Sequence, residues 1–115
     1  MQDVATWERD FQVWAYSVSY SRLLLRSLQD PSPSRVDVLF SNVMFMHLPT
    51  SFPRLRIRMA EGRQFGGIDI PDSVKGNWYA INSDQSFVFA GHCQWHEDDG
   101  NFTSPSRFGP FRRTD

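Results

Sequence analysis

Hydrophobic and polar positions alternate with a period of two along most of this chain, a pattern that predicts strands rather than helices. From Phe11 onward, Trp14, Tyr16, Val18 and Tyr20 alternate with Val13, Ala15, Ser17 and Ser19, which places large side chains on one face and small ones on the other. Residues 19–22 can turn, and the apolar run Leu23-Leu24-Leu25-Arg26-Ser27 is short enough to be the returning strand of a hairpin. Asp30-Pro31-Ser32-Pro33-Ser34 enforces a loop, because two prolines fix φ and withhold amide donors. Val36, Val38 and Phe40 then alternate with polar or smaller neighbours, Ser41-Asn42 offers a two-residue turn, and residues 43–48 alternate again. This predicts a second hairpin or one bulged continuous strand.

The sharpest alternation is Arg54-Leu55-Arg56-Ile57-Arg58-Met59, with three arginines on one face and three apolar side chains on the other. Residues 61–77, rich in glycine, read as a long surface connection with a short strand at Ile68 and Ile70. Residues 78–82 and 87–96 flank a turn at 83–86 and predict a third hairpin, with Phe87 and Phe89 on one face. Two segments break the pattern. Trp7 and Phe11 stand four apart, so residues 5–11 are expected to form one or two helical turns. Residues 101–115 have no period and are expected to be a tail that docks through Phe102, Phe108 or Phe111. About six to eight short strands with turns between them predict an all-β fold, mainly antiparallel, either a meandering sandwich or a small barrel.

Composition narrows this reading. A chain of 115 residues, 40% hydrophobic and 15% aromatic, is expected to be one domain over residues 1–115 that folds without disulfides or metal. The formal net charge of −1 disfavours general nucleic-acid binding and attraction to an anionic membrane. Residues 1–10 lack the apolar core of an export signal, and no stretch approaches the roughly 20 apolar residues of a membrane span. The single cysteine, Cys93, excludes an internal disulfide and fits a reducing, cytoplasmic setting. Lys75 is the only lysine beside 11 arginines, a bias that points to a bacterial source.

Several clusters are candidates for chemistry. His92-Cys93-Gln94-Trp95-His96-Glu97 contains the donor types zinc prefers. On a strand, however, His92 and His96 share one face about 13 Å apart while Cys93 takes the other, so they are weak metal candidates. The chain lacks a nucleophile elbow, a phosphate loop and a calcium-binding loop, and no cofactor is expected. The acidic turn Glu97-Asp98-Asp99 is of a kind that complements a basic partner. Arg54, Arg56 and Arg58 stand about 6.6 Å apart and form a ladder of guanidinium forks able to clamp carboxylates or phosphates. The competing reading is a solvated face paired to some of the 13 acidic residues. Trp14 and Tyr16 would add stacking surface if they point outward.

The run Trp14-Ala-Tyr16-Ser-Val18-Ser19-Tyr20-Ser-Arg-Leu23-Leu24-Leu25-Arg26-Ser27, followed by Arg35-Val-Asp37-Val38-Leu39-Phe40, resembles a family of small uncharacterised actinobacterial proteins. The likeness covers residues 11–48. Histidine is common in that family at the position Tyr20 holds here, so a role for it does not carry over, and the resemblance implies no activity. The layout also resembles some toxin-immunity proteins at the level of fold.

Three functional expectations follow, in this order. The first is a non-enzymatic protein-interaction module, immunity-protein-like in its layout, using Arg54, Arg56, Arg58, Trp14 and Tyr16 or an open sheet edge, with a homodimer through sheet edges as one form. The second is a small-molecule carrier whose barrel interior is lined by some of Trp14, Tyr16, Phe40, Phe45, Trp78 and Phe89. The third is a hydrolase or metal enzyme built on residues 92–97.

Overall fold

In a computed structural model of the chain, two five-stranded antiparallel sheets stack face to face and are not closed into a barrel. The structure describes residues 1–28, 34–61, 64–65, 67–100, 103 and 105–108. Along the chain the strands are β1 (Gln2–Trp7), β2 (Phe11–Ser17), β3 (Arg22–Ser27), β4 (Arg35–Ser41), β5 (Phe45–His47), β6 (Ser51–Phe52), β7 (Leu55–Ala60), β8 (Gln64–Phe65), β9 (Ile68–Asp69), β10 (Asn77–Ile81), β11 (Ser83–Ala90) and β12 (His92–Asp98). The first sheet has the order β1-β7-β10-β11-β5, the second β12-β4-β3-β2-β6, and β8 pairs with β9 in a separate ribbon. The sandwich alternative of the sequence reading is therefore the one adopted.

Alternate residues of each sheet meet in the core between them. Phe11, Leu23, Leu25, Val36, Val38 and Phe40 come from the second sheet, and Leu55, Ile57, Tyr79, Ile81, Val88 and Ala90 from the first. The outer face of the first sheet is also apolar: Trp78, Phe87 and Phe89 form a second cluster with Ile70, flanked by Ile68 and Val74. Strands covered on both faces read as near-continuous apolar runs, which accounts for Trp78-Tyr79-Ala80-Ile81 and Phe87-Val88-Phe89-Ala90. The stretch 61–77 is thus more than a surface connection, since its described part covers this second cluster. A Cβ on Gly76, where φ is +149°, would come within 2.7 Å of the Phe89 ring, so only glycine lets the chain pass there.

Three expectations are corrected. Residues 5–11 are not helical: β1 lies antiparallel to β7, with Trp7 opposite Leu55, so its backbone groups bond across a ladder. Val4, Thr6 and Trp7 have the branched or aromatic shapes that suit a pleated surface, and the Trp7 ring still reaches Phe11, with centroids 5.6 Å apart. β4 and β5 are not a hairpin, because the turn at Asn42 (φ 55°) carries the chain from the second sheet to the first. Residues 87–96 are likewise two strands, interrupted at Gly91, where the chain returns to the second sheet. The two crossings touch: the Gly91 amide donates to the Ser41 carbonyl at 2.8 Å, and a Cβ on Gly91 would meet Asn42 at 3.1 Å.

The β2–β3 hairpin and the β7 strand lie where the alternation puts them. The third hairpin also forms, but it turns at Asn82 (φ 66°), and residues 83–86 belong to β11. On one side the sandwich is closed by Trp7 of β1 and Trp95 of β12, edge to face at 5.5 Å. The opposite side lies between β2 and β5.

Candidate interaction surface

The arginine ladder is partly consumed by its own strand neighbours. Arg54 precedes β7, while Arg56 and Arg58 lie on it and face β1, with Arg58 opposite Asp3 and Arg56 opposite Thr6. The Arg56 guanidinium donates to the Asp3 carboxylate at 3.0 Å, and both side chains are exposed. Arg54 and Arg56 also line a surface depression of about 330 Å³ with Asp3, Thr6 and Glu8, whose two carboxylates offset their charge. Cross-strand pairing of the kind a solvated face makes is thus seen at Arg56, while Arg58 is half-buried.

Trp14 and Tyr16 are both exposed, yet they do not share a face. The register of β2 against β3 shifts between Val13 and Ala15, so Ala15 falls opposite Leu24 and Tyr16 opposite Leu23, a residue of the inter-sheet core. Trp14, at the bulge, lies instead over the Arg26 guanidinium, 4.7 Å from it, on the outer face. A bulge resets the two-residue phase of a strand, which no reading of alternation anticipates. Beneath Trp14, Arg26 forms a two-bonded pair with Asp37 at 2.8 and 3.1 Å, and both side chains are almost fully buried.

The cluster at residues 92–97 follows strand geometry. His92, Gln94 and His96 lie opposite Ser41, Leu39 and Asp37, whereas Cys93 packs against the core. Burial pushes the Cys93 thiol up to about 12, which disfavours the thiolate at neutral pH. Among the described residues no three His, Cys, Asp or Glu side chains gather closely enough to hold an ion. His96 instead takes part in docking the C-terminal segment: its Nδ1 accepts from Arg107, and Arg22 and Arg35 donate to the carbonyls of Phe108 and Pro105. The contact at Phe108 is made by its backbone carbonyl, and Phe102 and Phe111, also expected to anchor the tail, lie outside the described residues. Gln94, Trp95, His96, Arg107 and Phe108 line an open depression of about 390 Å³.

The six side chains proposed to line a carrier cavity are dispersed. Phe40 is in the inter-sheet core, Trp78 and Phe89 are on the opposite face of the first sheet with Phe45 stacked on Trp78 at 6.2 Å, and Trp14 is outside the second sheet. No shared interior is formed by them.

What the structure does assemble is the open side between β2 and β5. The Val13 amide donates to the Thr50 carbonyl at 2.8 Å and the Val43 amide to the Ser21 carbonyl at 2.9 Å. Between these two bonds, no further backbone hydrogen bond joins residues 14–20 to residues 44–49. Nine large hydrophobic side chains are exposed among the described residues; five of them, Tyr16, Val18, Tyr20, Met44 and Met46, belong to the segments that border this gap, and two more, Trp14 and Phe45, lie on the outer faces beside it. Residues 11–21 and 38–53 contain no Asp, Glu, Lys or Arg, although the chain has 12 basic and 13 acidic residues. These two segments therefore bring large apolar side chains and no acidic or basic residue other than His47 to this side. Val18, Tyr20, Met44 and Met46 were not singled out by alternation; the signal that marks them is the absence of charge over two separated stretches that the fold brings together.

The chain matches no family model, no curated protein and no solved structure.

Proposed function

We propose that this chain is a non-enzymatic protein-interaction module whose binding surface is the uncharged seam between β2 and β5. The observation that supports this is the concentration of seven of nine exposed large hydrophobic side chains in residues 14–20 and 44–46. Aromatic residues and methionine are enriched in interface cores, and charged residues are depleted there. Edge strands that must stay unpaired usually carry lysine, proline or an inward charge, and neither β2 nor β5 has any of these. The arginine ladder, offset by Asp3 and Glu8, is assigned no binding role. A reducing, cytoplasmic setting suits the lone Cys93 thiol, and the arginine bias favours a bacterial source.

The test is affinity capture from the source cells followed by reconstitution with purified components. Tyr16→Glu and Met46→Glu are each expected to weaken the reconstituted complex about tenfold or more, since a charge then enters a desolvated surface. Arg56→Glu is expected to leave it unchanged. The opposite pattern overturns the reading, and so does capture of neither another protein nor a second copy of the chain.

A further inference from the structure

We infer that the partner of the seam is a second copy of this chain, joined across a two-fold axis. The inference rests on the reading of the seam as an interaction surface and names its occupant. Area is the first argument. Scaling the exposed fractions of Tyr16, Val18, Tyr20, Met44 and Met46 by roughly 180 Å² per large side chain gives about 470 Å² of exposed surface. Two copies would bury about 940 Å² from these side chains alone, close to the roughly 1,000 Å² that separates specific interfaces from chance contacts. Trp14 and Phe45 flank the seam and add to it. An apolar patch of this extent is within the range of the largest patch on a monomer, which is often functional.

Self-compatibility is the second argument. A two-fold interface sets each surface against itself, so any charge on it meets its own sign near the axis. Here residues 11–21 and 38–53 carry none, and the whole chain has a formal charge of only −1. A different partner would find nothing on the seam to select it electrostatically, whereas a second copy needs no such selection. The backbone agrees. β6 pairs with β2 only at Phe11 and Gln12, and Thr50 takes the Val13 amide, so residues 14–17 have no strand on their outer edge. Antiparallel pairing of that edge with its own copy is the arrangement a two-fold axis produces.

Sedimentation equilibrium over roughly 1 to 300 µM, the range in which interfaces of this size associate, tests the inference on the intact chain. The mass is expected to rise from 13.4 kDa toward twice that value with concentration. Tyr16→Glu and Val18→Arg, both at exposed positions, are each expected to weaken dimerisation about tenfold or more, with unchanged circular dichroism and, at concentrations where the wild type is monomeric, an unchanged thermal midpoint. Arg56→Glu should dimerise like the wild type. A wild-type mass fixed at 13.4 kDa throughout overturns the inference, as does undiminished dimerisation of both folded seam variants. If the wild type is monomeric but Tyr16→Glu still loses a reconstituted complex with another protein, the dimer falls and the interaction surface stands.

Discussion

Two groups of arginines sit in opposite surroundings. Arg26 and Arg35, on the outer face of the second sheet, are 1% and 4% exposed, and each meets a carboxylate on the neighbouring strand, Asp37 and Asp98. Arg54, just before β7, and Arg56, on it, are exposed, and the Arg56–Asp3 pair is open to water on both sides, while Arg58 further along is half-buried. The second group is conspicuous in the sequence because it repeats every second residue. The first is inconspicuous, one residue in an apolar run and another at a strand start. Yet the energetic weight lies with the first, because removing a carboxylate from a buried guanidinium leaves a charge without its counterpart, whereas an exposed pair exchanges its partner for water. Repetition along a strand reports spacing; the walls around a charge decide what it is worth.

The contrast can be broken most directly at Asp37. Asp37→Ala is expected to destabilise the fold by about 3–5 kcal/mol in denaturant unfolding, while replacing both partners, Arg26→Met with Asp37→Leu, should recover most of that loss. Asp98→Asn comes next, at about 1.5–3 kcal/mol for a charge-assisted bond. The hydrogen bond from Arg35 holds the Asp98 carboxyl below its ordinary value of 3.8, so its stabilisation is complete above that pH and disappears as pH falls through the lower folded value. The gap in thermal midpoint between wild type and Asp98→Asn should therefore close in acid, and a gap that persists there contradicts the assignment. Trp14→Ala uncovers the Arg26 guanidinium and should cost about 0.5–2 kcal/mol, partly as lost cation–π attraction. Arg56→Ala should cost about 1 kcal/mol at most; a loss comparable to that of Asp37→Ala would erase the distinction.

The sequence revealed most where a strand keeps one phase and one covered face. Leu55 and Ile57 against Arg56 and Arg58 is such a case, and the β2–β3 pairing is another. It failed where a single backbone conformation redirects the chain. Asn42 and Gly91 look like ordinary turn residues, and nothing local indicates that the chain leaves one sheet for the other there. The bulge at Trp14 is similarly hidden, and it separates the two aromatic residues that alternation had grouped. The proposed surface was half legible. Trp14 and Tyr16 were visible as large residues on a strand, but Met44 and Met46 acquire meaning only when residues 43–50 are laid beside residues 13–21.

The paired crossings at Asn42 and Gly91 also govern how the molecule is made. Neither sheet is a continuous piece of chain: the second takes strands from residues 11–52 and its last edge from His92–Asp98, while the first interleaves β1, β5, β7, β10 and β11. During synthesis the second sheet lacks an edge until β12 has emerged, although its other strands come from the first 52 residues. The half-built sheet therefore leaves the backbone edge of β4 unpaired while the intervening strands are made. Folding that waits on such distant pairings belongs to the millisecond-to-second regime of β-sandwiches, and the two halves should melt as one cooperative unit.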